Sequence, residues 1–271
     1  MNKHWSFTAF AFCVLATFSL FGCDQPKQQT AAQQAASTAT AQPSNRIIIG
    51  HEDTFPPMEF RTPLGELVGY DIDLAQEAFK RMGVEFEYKL LDWSKKDDAL
   101  LRDKTIDMIW SGLNITEERR QLYGFSEPYL DNRQIIVVTV DSPIRAKADL
   151  SNKVVGIQNG ASTVPVIERY SGSAGPVAKI QPFPEATQAM TAMLEHKVDA
   201  VVMDETQGRY YISRSPGKFR LLTEDFGTSE FGVAMRKEDT ELIRKVNQAL
   251  ADMQADGTER RIYNKWFGEN Q

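Results

Sequence analysis

The chain has only two cysteines, Cys13 and Cys23, in 271 residues. That excludes a disulfide framework and any multi-cysteine metal centre. Its three histidines, His4, His51 and His196, are too scattered to suggest a metal cluster, so no metal is expected. It has no basic excess: 31 Lys and Arg face 37 Asp and Glu, a formal net charge of -6. A nucleic-acid partner would want a basic patch or stripe, so none is expected. A Ser/His/Asp signature, a GxSxG elbow, a Walker loop and an HExxH helix are all missing, which removes the common hydrolase and nucleotide-binding signatures. No repeat of fixed period appears, so a solenoid is not expected. The acid pairs Glu117-Glu118 and Asp97-Asp98 occupy adjacent helical positions that point to different faces. They read as solvated acids rather than a catalytic dyad. What remains is ordinary: 42% hydrophobic and 25% charged residues, enough chain to bury a core as one large domain or two small ones.

There is one long apolar run, Trp5 to Phe21, behind a thin positive start at Lys3 and His4. It falls between a signal-peptide core and a membrane span in length. Leu20-Phe21-Gly22-Cys23 resembles the bacterial lipobox, with Phe21 bulkier than the pattern prefers. The resemblance implies a signal peptide over 1–22 and lipidation of Cys23; an uncleaved anchor or an ordinary cleaved signal are the alternatives. More than one acyl chain is needed for stable attachment to a bilayer, and bacterial lipoproteins carry three. Residues 24–45 are nearly all Gln, Ala, Ser and Thr with Pro26 and Pro43. They lack apolar periodicity and read as a flexible tether with a reach of roughly 25 Å.

The folded body begins at Arg46. Ile47-Ile48-Ile49, closed by Gly50, predicts a buried strand. Ile72, Ala75, Ala78, Phe79 and Met82 recur at helical spacing, and Gly83 stops that helix. Strands are predicted over 84–91 and 106–110, with a short helix over 95–102 between them and another at 116–122 that Thr116 caps. A second alternation follows: strands over 134–140, 153–158 and 200–203, helices over 163–170, 185–195 and 207–212. A strand over 231–235, a long helix over 240–256 and a last helix over 260–266 complete the chain. Alternating strands and helices predict an α/β architecture with parallel sheets.

Several blocks in fixed order then carry a family resemblance. They are Phe55-Pro56-Pro57-Met58-Glu59-Phe60, Gly69-Tyr70-Asp71-Ile72-Asp73-Leu74-Ala75, Ile106-Asp107-Met108-Ile109-Trp110-Ser111-Gly112, Thr116-Glu117-Glu118-Arg119 and Phe125-Ser126-Glu127-Pro128-Tyr129. Further on come Val154-Val155-Gly156-Ile157-Gln158, Val198-Asp199-Ala200-Val201-Val202-Met203-Asp204 and Lys265-Trp266-Phe267-Gly268. Together they resemble the bacterial extracellular solute-binding proteins, family 3, of polar amino-acid ABC transporters. The resemblance implies a type II periplasmic-binding-protein fold: two lobes, each a sheet flanked by helices, joined by two hinge strands. Lobe 1 would comprise 46–134 plus 229–271, and lobe 2 would comprise 135–228. The strands at 135–140 and 231–235 would be the crossings and their immediate continuations. The implied function is capture of a free polar L-amino acid by hinge closure and its delivery to an ABC permease. The protein would be a monomer without cofactor, on the periplasmic side of the cytoplasmic membrane.

The resemblance also implies a site. A buried amino acid needs partners for both its charges. Arg119 matches the family's carboxylate clamp, whose planar fork suits a carboxylate. Asp204, at a strand's end, matches the ammonium-binding acid; an N-cap is the alternative. Ser111, Gly112 and Asn114 match a loop that offers further polar contacts, and Ser162 or Thr163 matches a lobe 2 loop whose N–H reaches the carboxylate. Phe55 matches an aromatic over the ligand, and Trp110 either walls the pocket or fills the core. Glu52 matches a position where binders of basic amino acids carry an acid, with Asp53 as the other register. Two further readings have the same fold: a cyclohexadienyl dehydratase with Glu52 as general acid, and a sensor module.

Overall fold

Two five-stranded sheets organise the chain in a computed structural model that describes residues 46–268. The expected signal, lipidated cysteine and tether lie outside those residues. Among the described residues no helix is long and apolar enough to cross a membrane.

The first sheet has the order Phe86–Leu90, Ile47–His51, Met108–Ile109, Ala234–Met235, Gly124–Phe125. Its first two pairings are parallel and its last two antiparallel. Helix Tyr70–Met82 carries Asp71 and Asp73 in its first turn, Lys80 and Arg81 in its last, and ends on Gly83 at φ 64°. Each feature suits the helix dipole or a left-handed cap. Its buried face, Leu74, Ala75, Ala78 and Phe79, packs with Val246, Ala249 and Met253 of helix Thr240–Ala255 into the lobe 1 core. Burying a side chain such as Phe79 contributes about 1.5–3 kcal/mol.

The second sheet has the order Lys179–Phe183, Val154–Gln158, Ala200–Asp204, Leu130–Thr139, Phe219–Phe231. Its β-branched strands are buried on both faces. Val137 and Val201 face one core layer, and Ile136, Val138 and Val202 face the other. Strand Lys179–Phe183 is an edge, where Pro182 is tolerated; its weak alternation gave no sequence signal.

The crossings differ from expectation. The first strand starts earlier, at Leu130. The second is Phe219–Phe231, antiparallel to it with two register shifts. Ala234–Met235, which follows that crossing in the chain, belongs to the first sheet. The predicted helix over 95–102 is a 3-10 turn at Trp93–Lys95 and a π-type turn at Asp98–Arg102.

Candidate functional site

Strand ends from both sheets meet at one cleft. Glu52 follows strand Ile47–His51, and the segment from Trp110 to Asn114 follows Met108–Ile109. Gln158 and Asp204 close their strands in the second sheet. Ligand sites of open α/β sheets lie at such carboxyl ends. Glu52, Phe55, Trp93, Gly112, Asn114 and Arg119 on one side, and Gln158, Ala161, Ser162 and Asp204 on the other, line one small, tightly closed cavity.

Arg119 sits in the short helix Glu117–Leu122, whose first turn is capped by the Thr116 hydroxyl accepting the Arg119 N–H at 3.2 Å. Its Nη1 donates to the Asn114 carbonyl at 2.8 Å and its Nη2 to the Gly160 carbonyl at 3.2 Å. The rest of its five N–H groups donate to none of the described residues and can meet a carboxylate. Burial pulls its pKa down, against the pull of Tyr123, Asp97 and Asp204, yet a guanidinium stays charged in proteins.

Asp204 takes amide N–H groups from Asn114, Asn132 and Gln134 on one oxygen, Oδ1. Burial raises its pKa while those three amides and Arg119 hold it down.

Glu52 is 6% exposed. Its N–H is shared by Glu59 Oε1 at 3.0 Å and Ser111 Oγ at 3.2 Å. Its carboxyl accepts from Gln158 Nε2 at 2.7 Å across the cleft. Burial pushes that carboxyl up to about 8; the Gln158 hydrogen bond opposes the rise and the charge of Asp204 adds to it. Asp53 pairs instead with Arg61 at 2.6 Å, away from the cavity.

Phe55 presents its ring to the cavity and meets Phe231 edge-on at 6.1 Å. Gly112 permits this packing: its φ is +49°, and a Cβ there would stand 2.1 Å from the Phe55 ring. Its N–H donates to Asp71 Oδ2 at 2.6 Å, and the Tyr129 hydroxyl donates to the same oxygen at 3.0 Å. Asp71 therefore holds the loop in place from inside the lobe; its carboxyl is pushed by burial to about 7.

Three expected site residues stand back from the cavity. Trp110 is 1% exposed and packs in the lobe 1 core beside Tyr129, so it fills the core rather than walling the pocket. The Ser111 hydroxyl is engaged by the Glu59 carboxyl. The Thr163 hydroxyl is buried at the start of helix Thr163–Ala174 without a partner among the described residues, while Ser162 before it lines the cavity. Trp93, Gln158 and Ala161 line the cavity without having been expected. Of these only Gln158 carried a signal, as the last residue of a strand block. Lys96, 4% exposed, was also unforeseen; it donates to the carbonyls of Gly160 at 3.2 Å and Trp93 at 3.4 Å.

A two-lobed α/β fold with a polar cleft between sheet ends defines a type II periplasmic binding protein. The chain belongs to the bacterial extracellular solute-binding proteins, family 3, whose sequence profile matches residues 47–269. It is 30% identical over 246 residues to ABC transporter arginine-binding protein 1 of Escherichia coli strain K12, covering 88% of this chain and 97% of that one. It is 28% identical over 224 residues to the L-cystine-binding protein TcyJ of the same strain, covering 82% of each. Among solved structures, an ancestral arginine-binding protein bound to arginine superposes with a TM-score of 0.77 at 37% identity, covering 83% of this chain and 99% of that one.

Proposed function

We propose that this protein captures a free polar L-amino acid between its lobes and delivers it to an ABC permease, with a basic amino acid favoured. The observation that carries the reading is the pairing of Arg119 and Asp204 on opposite walls of one cavity. A guanidinium from lobe 1 and a carboxylate from lobe 2 match the carboxylate and ammonium of one amino acid. Only lobe closure lets both grip it. The names of the arginine- and cystine-binding relatives support the ligand class, and the acid at Glu52 supports a cationic end. The lobes run over 46–134 plus 229–271 and over 135–228, and the protein works as a monomer. The Leu20–Cys23 lipobox and the Asp24 that follows support a lipid anchor that keeps the receptor on the periplasmic side of the cytoplasmic membrane. Tethering would raise its effective concentration near the permease without any new contact.

Thermal-shift screening against the twenty amino acids, ornithine and cystine tests the reading. A ligand at 100 times its Kd stabilises by about 2.7 kcal/mol. The hit should vanish in Arg119→Ala, because stranding one member of a buried charge pair costs about 3–5 kcal/mol, a loss of 100-fold to 1,000-fold or more in affinity. Wild-type affinity in folded Arg119→Ala would sink the assignment.

One observation favours a second reading. A carboxyl held near 8 inside the cavity has the protonation a general acid needs, as a dehydratase on this fold would use. Steady-state assays with arogenate and prephenate separate the two; turnover lost in Glu52→Gln would favour the enzyme.

A further inference from the structure

Asp204 is held in a way the amino-acid-binding reading does not require by itself. Three side-chain amides converge on its Oδ1, and no hydrogen bond among the described residues falls on Oδ2. One amide, Asn114, comes from the lobe 1 loop. The other two, Asn132 and Gln134, lie two residues apart on the first crossing strand, Leu130–Thr139, and so face the same side of it. Both are buried, at 3% and 4% exposure.

The orientation of each amide is fixed by its other partners. Asn132 Oδ1 accepts the Glu205 backbone N–H at 3.2 Å, so its Nδ2 must face Asp204. Asn114 Oδ1 accepts from the Ser229 hydroxyl at 2.7 Å and from Asn132 at 3.0 Å, so its Nδ2 points the same way. Gln134 Oε1 is buried with no partner among the described residues, and its Nε2 donates to Asp204. An orphaned buried carbonyl is unfavourable, and a hydrogen bond to a charged carboxylate is the kind strong enough to offset it.

We infer that Asn132 and Gln134 are positioning residues of the crossing strand that hold Asp204 as a carboxylate with Oδ1 occupied and Oδ2 free for the ligand's ammonium. The inference rests on the amino-acid-binding reading for what Oδ2 meets, but not for the ionisation of Asp204. The carboxyl sits in burial that favours its neutral form, and the amides oppose that. The other charges facing it are Arg119 from lobe 1, which favours the carboxylate, and Glu52, which opposes it when ionised and is itself countered by Lys96. Glu205, next in the chain, is tied to Arg133 at 2.6 Å and Arg209 at 2.7 Å. The amides therefore set the state of Asp204 together with a small, named set of charges. Since both strand residues belong to the crossing segment, the same contacts fix the acid relative to the hinge.

The test follows the Asp204 carboxyl carbon by 13C NMR titration of the whole protein without added ligand. Gln134→Met keeps the side-chain volume and removes the donor; Asn132→Ala removes the second donor and stands in should the first variant fail to fold. Each is expected to move the Asp204 midpoint upward by about one to two pH units, the size expected for losing a hydrogen bond to a charged group. Gln134→Glu, which sets a second carboxyl beside the first, should move it further up. An unmoved midpoint in folded Gln134→Met overturns the inference. L-arginine titrated by calorimetry from pH 5 to 8 in a Glu52→Gln background, where Glu52 no longer titrates, gives the functional readout, with the acid limb of its affinity profile moving up by the same amount in Gln134→Met. A uniform loss of affinity at every pH would mean only a structural role and would also overturn it. Asp204→Asn separates the two layers: if it binds as tightly as wild type, the ammonium reading fails, while the NMR midpoints still decide the inference.

Discussion

A cationic amino acid should leave Glu52 with fewer protons than a neutral one does, and the structure sets how many. In the closed cleft the carboxyl is held by burial at about 8, against an ordinary value of 4.5. At pH 7 it is then about 0.9 protonated wherever no cation faces it. A guanidinium or ammonium placed against it favours the charged form and removes that proton. The L-arginine complex should therefore hold about 0.9 fewer protons than the L-glutamine complex at pH 7 and about 0.1 fewer at pH 9. Discharging Glu52 at pH 7 costs about 1.4 kcal/mol, one pKa unit, and this cost fades as pH rises. The affinity for arginine relative to glutamine should accordingly grow about eightfold between pH 7 and pH 8.5. L-Glutamine, with a neutral end, leaves Glu52 protonated and serves as the reference. Titration calorimetry in buffers of different ionisation enthalpy reads the proton count of each ligand directly. Glu52→Gln should abolish the difference between the two ligands. Equal proton counts for the two ligands at pH 7, with an affinity ratio flat up to pH 8.5, would show that Glu52 is not the buried, neutral acid described here.

Three further expectations follow from the same geometry. The protein should lose thermal stability as pH rises from about 4 to 7: Asp71, buried within one lobe whether the cleft is open or closed, sits near 7, above its ordinary 3.8, so the folded form binds more protons there, and stability present at low pH is lost as pH passes through the folded value. A thermal midpoint that climbs over this window would contradict it, and Asp71→Asn should flatten the slope. Gly160→Val should prop the cleft open, since the residue has φ +75° and a Cβ there would lie 3.3 Å from Ser94 Cα and the Trp93 carbonyl of the other lobe; small-angle scattering should show wild-type compaction with saturating L-arginine and less compaction in the variant, and equal profiles would refute this. Cys23→Ser should release the protein from the membrane fraction with ligand affinity unchanged; a variant still cleaved and anchored would refute the lipobox reading.

What the sequence could say of this site depended on how local each signal was. Ile47-Ile48-Ile49 and the buried face of helix Tyr70–Met82 are patterns of a dozen residues or fewer, and the chain folds accordingly. Thr116 before Glu117 is a cap readable in four residues. The second crossing strand was not readable: Phe219–Phe231 holds Thr223, Glu224 and Asp225 in its middle, and the register shifts on either side of Asp225 break any period of two. Trp110 was ambiguous for a different reason. It follows strand Met108–Ile109 where the chain turns toward the cleft, and only the packing of Tyr129 decides that its ring faces inward. Glu52 and Asp53 posed the same problem, because they leave strand Ile47–His51 through an irregular segment where no periodicity says which side chain faces the cleft. The choice between them is made by Gln158, 106 residues away, and by Arg61 at the end of the short strand Glu59–Arg61. Asp204 shows the limit most plainly. Its block marks it as a strand-end acid, but its three amide partners are 90, 72 and 70 residues away, and no spacing rule brings Asn114, Asn132 and Gln134 onto one oxygen. Residue types that touch a ligand can be matched one by one along a chain. The groups that set their charge come from other strands, so they become visible only when the sheets are assembled, and in this protein those groups decide which protonation state each ligand contact presents.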